Sequence, residues 1–113
     1  GLVHLAGLTN LEGRLNLEGT QVTDAGLVHL AGMTKLQELG LFGTQITDAG
    51  LVHLAGMTNL EVLWLSNTPI TDAGLVHLQG LTNLEQLQLD GTQVTDAGVA
   101  ELKKALPKCE INH

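Results

Sequence analysis

The sequence predicts an α/β solenoid: about five short parallel strands lining the inside of a right-handed arc, with short helices on its outside. Three observations predict it. Nearly the same wording returns every 24 residues, apolar residues alternate with variable ones over stretches such as Leu39-Gly40-Leu41, and each alternation is followed by Thr-Asp, the chemistry of a helix start. Aligned on the glycine after Thr-Asp-Ala, the units run 1–25, 26–49, 50–73 and 74–97, with a terminal half-unit at 98–113. They read as a single domain over 1–113, a fragment or the C-terminal part of a longer array.

Each unit opens its strand on the alternation, which buries one face and leaves the other free. The chain then turns sharply. Gly19, Gly43 and Gly91 stand at that turn, and Asn67 replaces them in the third unit because asparagine tolerates positive φ. Thr47-Asp48 follows, offering an N-cap oxygen and a first-turn acid that favours the helix dipole. Leu51 and Leu54 lie on one helical face, and Gly56 is positioned to end the helix in a left-handed conformation.

The first unit carries one extra residue, since Glu12-Gly13-Arg14 separates Leu11 from Leu15 where later units have two residues. An insertion beside a glycine predicts a bulge at the strand start, the alternative being a shift of the preceding loop. In the last unit Leu106, Cys109 and Ile111 are expected to fill the three leucine positions. Neither end shows a polar capping element of the kind repeat arrays use.

One unit cannot bury enough apolar surface to fold alone, so neighbours must stack. Strands in a shared sheet lie about 4.8 Å apart and packed helices ~8–10 Å, which bends the stack with the sheet inside. The leucine string runs Leu36, Leu39, Leu41, Thr44, Ile46, then Leu60, Leu63, Leu65, Thr68, Ile70, then Leu84, Leu87, Leu89, Thr92, Val94. With that spacing the chain resembles leucine-rich repeat proteins over its whole length. The Ile/Val-Thr-Asp-Ala-Gly-Leu links are similar to those of the cysteine-containing and bacterial subclasses. Thr stands where those subclasses usually have Cys or Asn, and the 24-residue unit is shorter than the cysteine-containing type.

The net charge of −7 and a pI near 4.9 argue against nucleic acid, whose recognition rests on clustered Lys and Arg. Four of the twelve acids, Asp24, Asp48, Asp72 and Asp96, recur at one repeat position and have an architectural explanation. No apolar run approaches the roughly 20 residues of a membrane-spanning helix. The single Cys109 forms no internal disulfide and permits a reducing compartment, so a cytoplasmic location is favoured. The chain begins without Met, which leaves any upstream signal unaddressed.

His4, His29, His53 and His77 form a helical column, but helices ~10 Å apart keep three rings from converging on one zinc ion, and no metal or cofactor is expected. Cys109 occupies a core leucine slot without a base beside it. Thr20, Thr44, Thr68 and Thr92 are expected to turn inward and bond turn backbone. No catalytic motif appears, and the chain reads as a non-enzyme.

The outward strand positions are where the repeats disagree. They read Arg14, Asn16, Glu18; then Glu38, Gly40, Phe42; then Val62, Trp64, Ser66; then Gln86, Gln88, Asp90; and last Lys108, Glu110, Asn112. Phe42 and Trp64 are the only aromatic residues of the chain. Beside Gly40 there is room for the indole next to Phe42 and Val62, a central apolar patch rimmed by Arg14, Glu38 and Asp90, with Gln88 and Ser66 adjoining Trp64. Aromatic centres with polar rims are what protein interfaces enrich, and the resemblance implies protein binding on this face. The leading expectation is a protein-binding module anchored by Trp64 and Phe42, its partner unnamed. The other is a structural segment or a regularised version of a longer array with no ligand of its own, self-associating through uncapped ends, the chain being a monomer or a weak edge-to-edge oligomer.

Overall fold

The computed structural model describes residues 13–16, 23–28, 30 and 35–113. Their element order is β1 (Arg14–Asn16), α1 (Asp24–Leu27), β2 (Glu38–Gly40), α2 (Asp48–Leu51), β3 (Val62–Trp64), α3 (Asp72–Leu75), β4 (Gln86–Gln88), α4 (Asp96–Ala105) and β5 (Glu110–Asn112). The strands form one five-stranded parallel sheet in sequence order, paired residue for residue from Arg14↔Glu38 onward. Each crossover passes over the helical side, as parallel neighbours require. The leucine string supplies the core: Leu39, Leu41, Leu63, Leu65 and Leu87 are fully buried, with Leu51, Leu54 and Leu78 meeting them from the helices.

The helices are shorter than the pattern implied. α2 and α3 each run four residues and tighten into 3-10 turns at Val52–Leu54 and Val76–Leu78. The expected left-handed ending at Gly56 does not occur. Positive φ belongs to Gly13, Gly43, Gly91 and Asn67, while the helical stretch closes when the Met57 N–H donates to the Leu54 carbonyl at 2.9 Å. A 3-10 turn ties up these end groups without a glycine cap. The turn after each strand is as expected at Gly43, Asn67 and Gly91. α4 stays α-helical for ten residues because Ala100, Glu101, Lys103, Lys104 and Ala105 are stronger helix formers than Val76, His77 and Gly80.

The closing half-unit sits otherwise than its leucine-like spacing implied, because the sheet keeps its 24-residue step. Ile111 pairs with Leu87, not Leu89, and the Cys109 N–H donates to the Leu106 carbonyl just as Leu84 does to Leu81. Leu106, Cys109 and Ile111 therefore take the places of Leu81, Leu84 and Leu87, one leucine position earlier than expected. Cys109 is buried in the core all the same, and burial pushes its thiol above the ordinary value. In the first unit no residue is left over within β1. Gly13, at φ +73°, accepts from the N–H groups of Gln37 and Glu38 as Gln37 does from Glu61 and Val62. The extra residue thus falls before Gly13, outside the described residues, as do Glu18, Gly19, Thr20, His4 and His29.

The repeated Thr-Asp-Ala-Gly does more than start a helix. Asp48 Oδ1 accepts the backbone N–H of Thr71 in the next unit at 2.7 Å and Oδ2 accepts its hydroxyl at 2.5 Å. Asp24 bonds both groups of Thr47 in the same way, and Asp72 those of Thr95. Gly50, Gly74 and Gly98 complete the arrangement, since a Cβ on any of them would collide with the carboxyl group of the preceding unit's aspartate. The threonine hydroxyl is therefore committed elsewhere at Thr47, which makes no side-chain cap, while Thr71 and Thr95 also accept weakly from the Ala73 and Gly98 N–H groups. The turn threonines behave as expected: Thr44, Thr68 and Thr92 donate to the carbonyls of Leu41, Leu65 and Leu89, each within its own unit.

In the last unit, groups that link earlier units to the next make contacts within the unit itself. Asp96 has no following threonine here, and the ring of His113 lies 2.6 Å from its Oδ1. The carbonyl of Glu85 accepts the Glu110 N–H of the next strand, while that of Cys109 accepts the Lys103 ammonium. Lysine on a sheet edge discourages pairing with another chain.

Two predictions follow from this clasp between units. Asp48→Ala strands a donor N–H and hydroxyl and is expected to cost about 2 kcal/mol in urea denaturation, whereas Asp96→Ala, with only an exposed partner, costs about 0.5 kcal/mol or less. The Thr95 hydroxyl, then its N–H, hold the Asp72 carboxyl below its usual 3.8. A lowered folded value gives stability that is fully present above 3.8 and lost as pH falls from there through the folded value. Thr95→Val is therefore expected to narrow its stability gap from the wild type in acid, measured by urea midpoints across pH.

Candidate functional site

Burying the middle leucine of each strand turns its two neighbours to the opposite face of the sheet. Register then sorts them into rows. Arg14, Glu38, Val62, Gln86 and Glu110 form one, and Gly40, Trp64, Gln88 and Asn112 stand side by side in the next. The ladder continues past the strands, with the Leu41 N–H donating to the Trp64 carbonyl at 2.8 Å, Gly43 to Ser66 at 3.0 Å and Asn67 to Asp90 at 2.9 Å. Those bonds align Phe42, Ser66 and Asp90 as a third row. All eight residues singled out from the sequence thus lie on one sheet face.

Trp64 stands near the middle of this grid, with Val62 and Ser66 on its own strand and Gly40 and Gln88 in register on either side. Trp64, Phe42 and Val62 are half-buried, between the buried leucines and the exposed rim. Gly40, which has no side chain to cover itself, is nevertheless buried. Lateral room beside the indole is what a glycine at this place provides. Polar bonds flank the patch: Arg14 Nε donates to Glu38 Oε2 at 3.1 Å, and the Ser66 hydroxyl donates to Asp90 Oδ1 at 2.6 Å.

One expected row member is displaced. Because Glu110 pairs with Gln86 and Asn112 with Gln88, Lys108 falls outside the grid. The cause is the 24-residue step of the sheet, which is kept from β4 to β5, whereas the leucine-like spacing of Leu106, Cys109 and Ile111 implied a step of 22, from Leu87 to Cys109. Register of this kind is fixed by pairing with the neighbouring strand, and the signal that finds it in the sequence is the 24-residue period and not the leucine-like spacing of the last unit.

Chemical groups are sparse on this face. Ser66 is engaged with Asp90 and no imidazole accompanies it, for His53 and His77 sit in the 3-10 turns on the helical side. Cys109 is buried with its thiol shifted away from the thiolate. Among the described residues no three His, Cys, Asp or Glu side chains are placed to hold a metal ion, and no helix is long and apolar enough to cross a membrane. What the face offers is an aromatic and aliphatic centre, hydrogen-bonding amides and carboxylates.

The two sides of β3 predict opposite mutational behaviour. Leu63→Ala, in the packed core, is expected to cost about 2–5 kcal/mol. Trp64→Ala, one residue away on the open face, is expected to cost well under half as much, both read from thermal and urea unfolding.

Comparison with known proteins gives one consistent result. A family profile described as Leucine Rich repeats (2 copies) matches residues 58–104, and a second, Leucine Rich repeat, matches 32–55, together more than half of the chain. No curated protein sequence matches. Among solved structures, internalin C2 from Listeria monocytogenes is 33% identical with a TM-score of 0.79, covering 98% of this chain and 45% of its own. A leucine-rich repeat protein of Leptospira interrogans is 25% identical with a TM-score of 0.64, over 98% of this chain and 33% of its own. The Mex67:Mtr2 subunits of Chaetomium share the fold at 23% identity and a TM-score of 0.75, over 98% of this chain and 86% of theirs. This chain spans less than half the length of the two bacterial proteins. The in-register leucines, the parallel sheet and these matches agree, and the chain belongs to the leucine-rich repeat family.

Proposed function

We propose that this domain is a protein-interaction module that receives its partner on the sheet face, with Trp64 and Phe42 as anchors and Val62 between the indole and the polar rim. The observation that carries this reading is the placement of both aromatic residues of the chain, half-buried, on the face whose positions carry a different residue in each of the units 26–49, 50–73 and 74–97. Similar units need similar cores, and no core contact dictates the variation in these outward rows. Aromatic side chains bring a large contact area at little entropic cost, and they carry much of the energy of protein interfaces. Arg14, Glu38, Gln88, Ser66 and Asp90 provide the polar surround that sets register and excludes water.

Family membership supports the coarser statement that this is an interaction scaffold, and the leiomodin-1 segment of the same fold is described as an actin-binding site, a property of that protein. The reading is one of recognition without covalent chemistry or a cofactor, in keeping with a sheet face on which, among the described residues, no thiol or imidazole accompanies Ser66. Lys103 and His113 bond the groups of the last unit that in earlier units link to the next, and the reading holds for a monomer or a weak edge-to-edge oligomer alike.

A random-peptide display library selected on the folded protein tests the reading. Selected peptides are expected to bind Trp64→Ala about tenfold or more weakly than wild type, with unfolding temperatures nearly equal. Peptides that bind both proteins alike would reject the sheet face as the site.

A further inference from the structure

Resting on the module reading above, we propose that the segment this face receives is an extended peptide with an apolar side chain and, two residues further on, a lysine or arginine. The charges on the face are divided unevenly. On the first two strands Arg14 and Glu38 neutralise each other through their 3.1 Å ion pair. On the last two strands the rows hold Gln86, Gln88, Asp90, Glu110 and Asn112, two carboxylates with no cation among them. Neither Asp90 nor Glu110 makes an ion pair, and both are exposed. The bond from the Ser66 hydroxyl to Asp90 Oδ1 ties that carboxyl group to the strand that bears Trp64, leaving Oδ2 without a bond from this chain.

Spacing then sets the peptide's pattern. Asp90 lies one strand across and one outward position along from Trp64, about 8 Å given strands ~4.8 Å apart and alternate residues ~6.8 Å apart. Alternate side chains of an extended peptide face the same way and are separated by the same ~6.8 Å, and the long stem of a lysine or arginine spans the remainder. An apolar residue over Trp64, Val62 and Phe42 therefore brings the second residue onward to Asp90. Twelve acidic residues against five basic ones add a protein-wide field that draws a cationic segment inward. An acidic segment would bring its charge against carboxylates with no cation to relieve it.

Three synthetic peptides test this, alike except that the position two residues after a central leucine is Lys, Gln or Glu, and all lacking tryptophan. Trp64, the only tryptophan of the chain, reports binding through its emission. At low ionic strength the Lys peptide is expected to bind about three- to fivefold more tightly than the Gln peptide, with the Glu peptide weakest, as exposed ion pairs allow. The preference is expected to shrink in Asp90→Asn and to fade with added salt, which screens exposed charges. Equal binding of all three, a preference for Glu, a Lys preference undiminished in Asp90→Asn, or no emission change with any peptide would overturn the inference. The module reading is judged separately by the library selection, where Trp64-dependent peptides of any composition uphold it.

Discussion

The structure depends on a clasp between successive units. An aspartate at the start of each short helix reaches across to the next unit, where it binds the backbone N–H and hydroxyl of a threonine and lies against a glycine that leaves it room. A carboxylate binding both groups forms charge-assisted hydrogen bonds, which are stronger than neutral ones. The clasp sets the spacing on the helical side, as the strand hydrogen bonds do on the sheet side. With both sides fixed, the leucines between them have one way to interlock.

This division explains why four residue types return unchanged while others drift. Thr, Asp and Gly are constrained by one another across a unit boundary, so none can change alone. Leucines are constrained by the close-packed core. The outward strand positions are bound by neither. They differ between units, and the differences gather an indole, a phenyl ring and a valine at the centre of one face, with amides and carboxylates toward the C-terminal side. A rigid stack built from constrained positions thereby holds unconstrained ones in fixed mutual geometry, which is what recognition by a preformed surface needs.

Much of the site was legible in the sequence because strand side chains alternate with a period of two. Once Leu39, Leu63 and Leu87 are assigned to the core, Glu38, Gly40, Val62, Trp64, Gln86 and Gln88 must face the other way, and the 24-residue period aligns them in rows. At the last unit two sequence signals compete: the spacing Leu106-x-x-Cys109-x-Ile111 sets Cys109 opposite Leu87, whereas the 24-residue step sets Ile111 there, and the pairing follows the step, so Lys108 leaves the rows. The aspartates do stand in the first helical turns, and they carry a second role that local pattern does not show. A first-turn acid looks like a local helix signal, and only the stacked chain brings it within bonding distance of a threonine 23 residues later.

The sequence by itself determined the repeat, the parallel sheet, the buried leucine string and the set of side chains that share the open face, because these follow from periodicity and from the need to bury apolar surface. The tertiary structure alone decided the 3-10 closure of the helices, the Asp–Thr–Gly contact between units and the contacts of Lys103 and His113. These are relations between residues far apart along the chain. Local pattern leaves several such relations possible, and close packing of neighbouring units selects one.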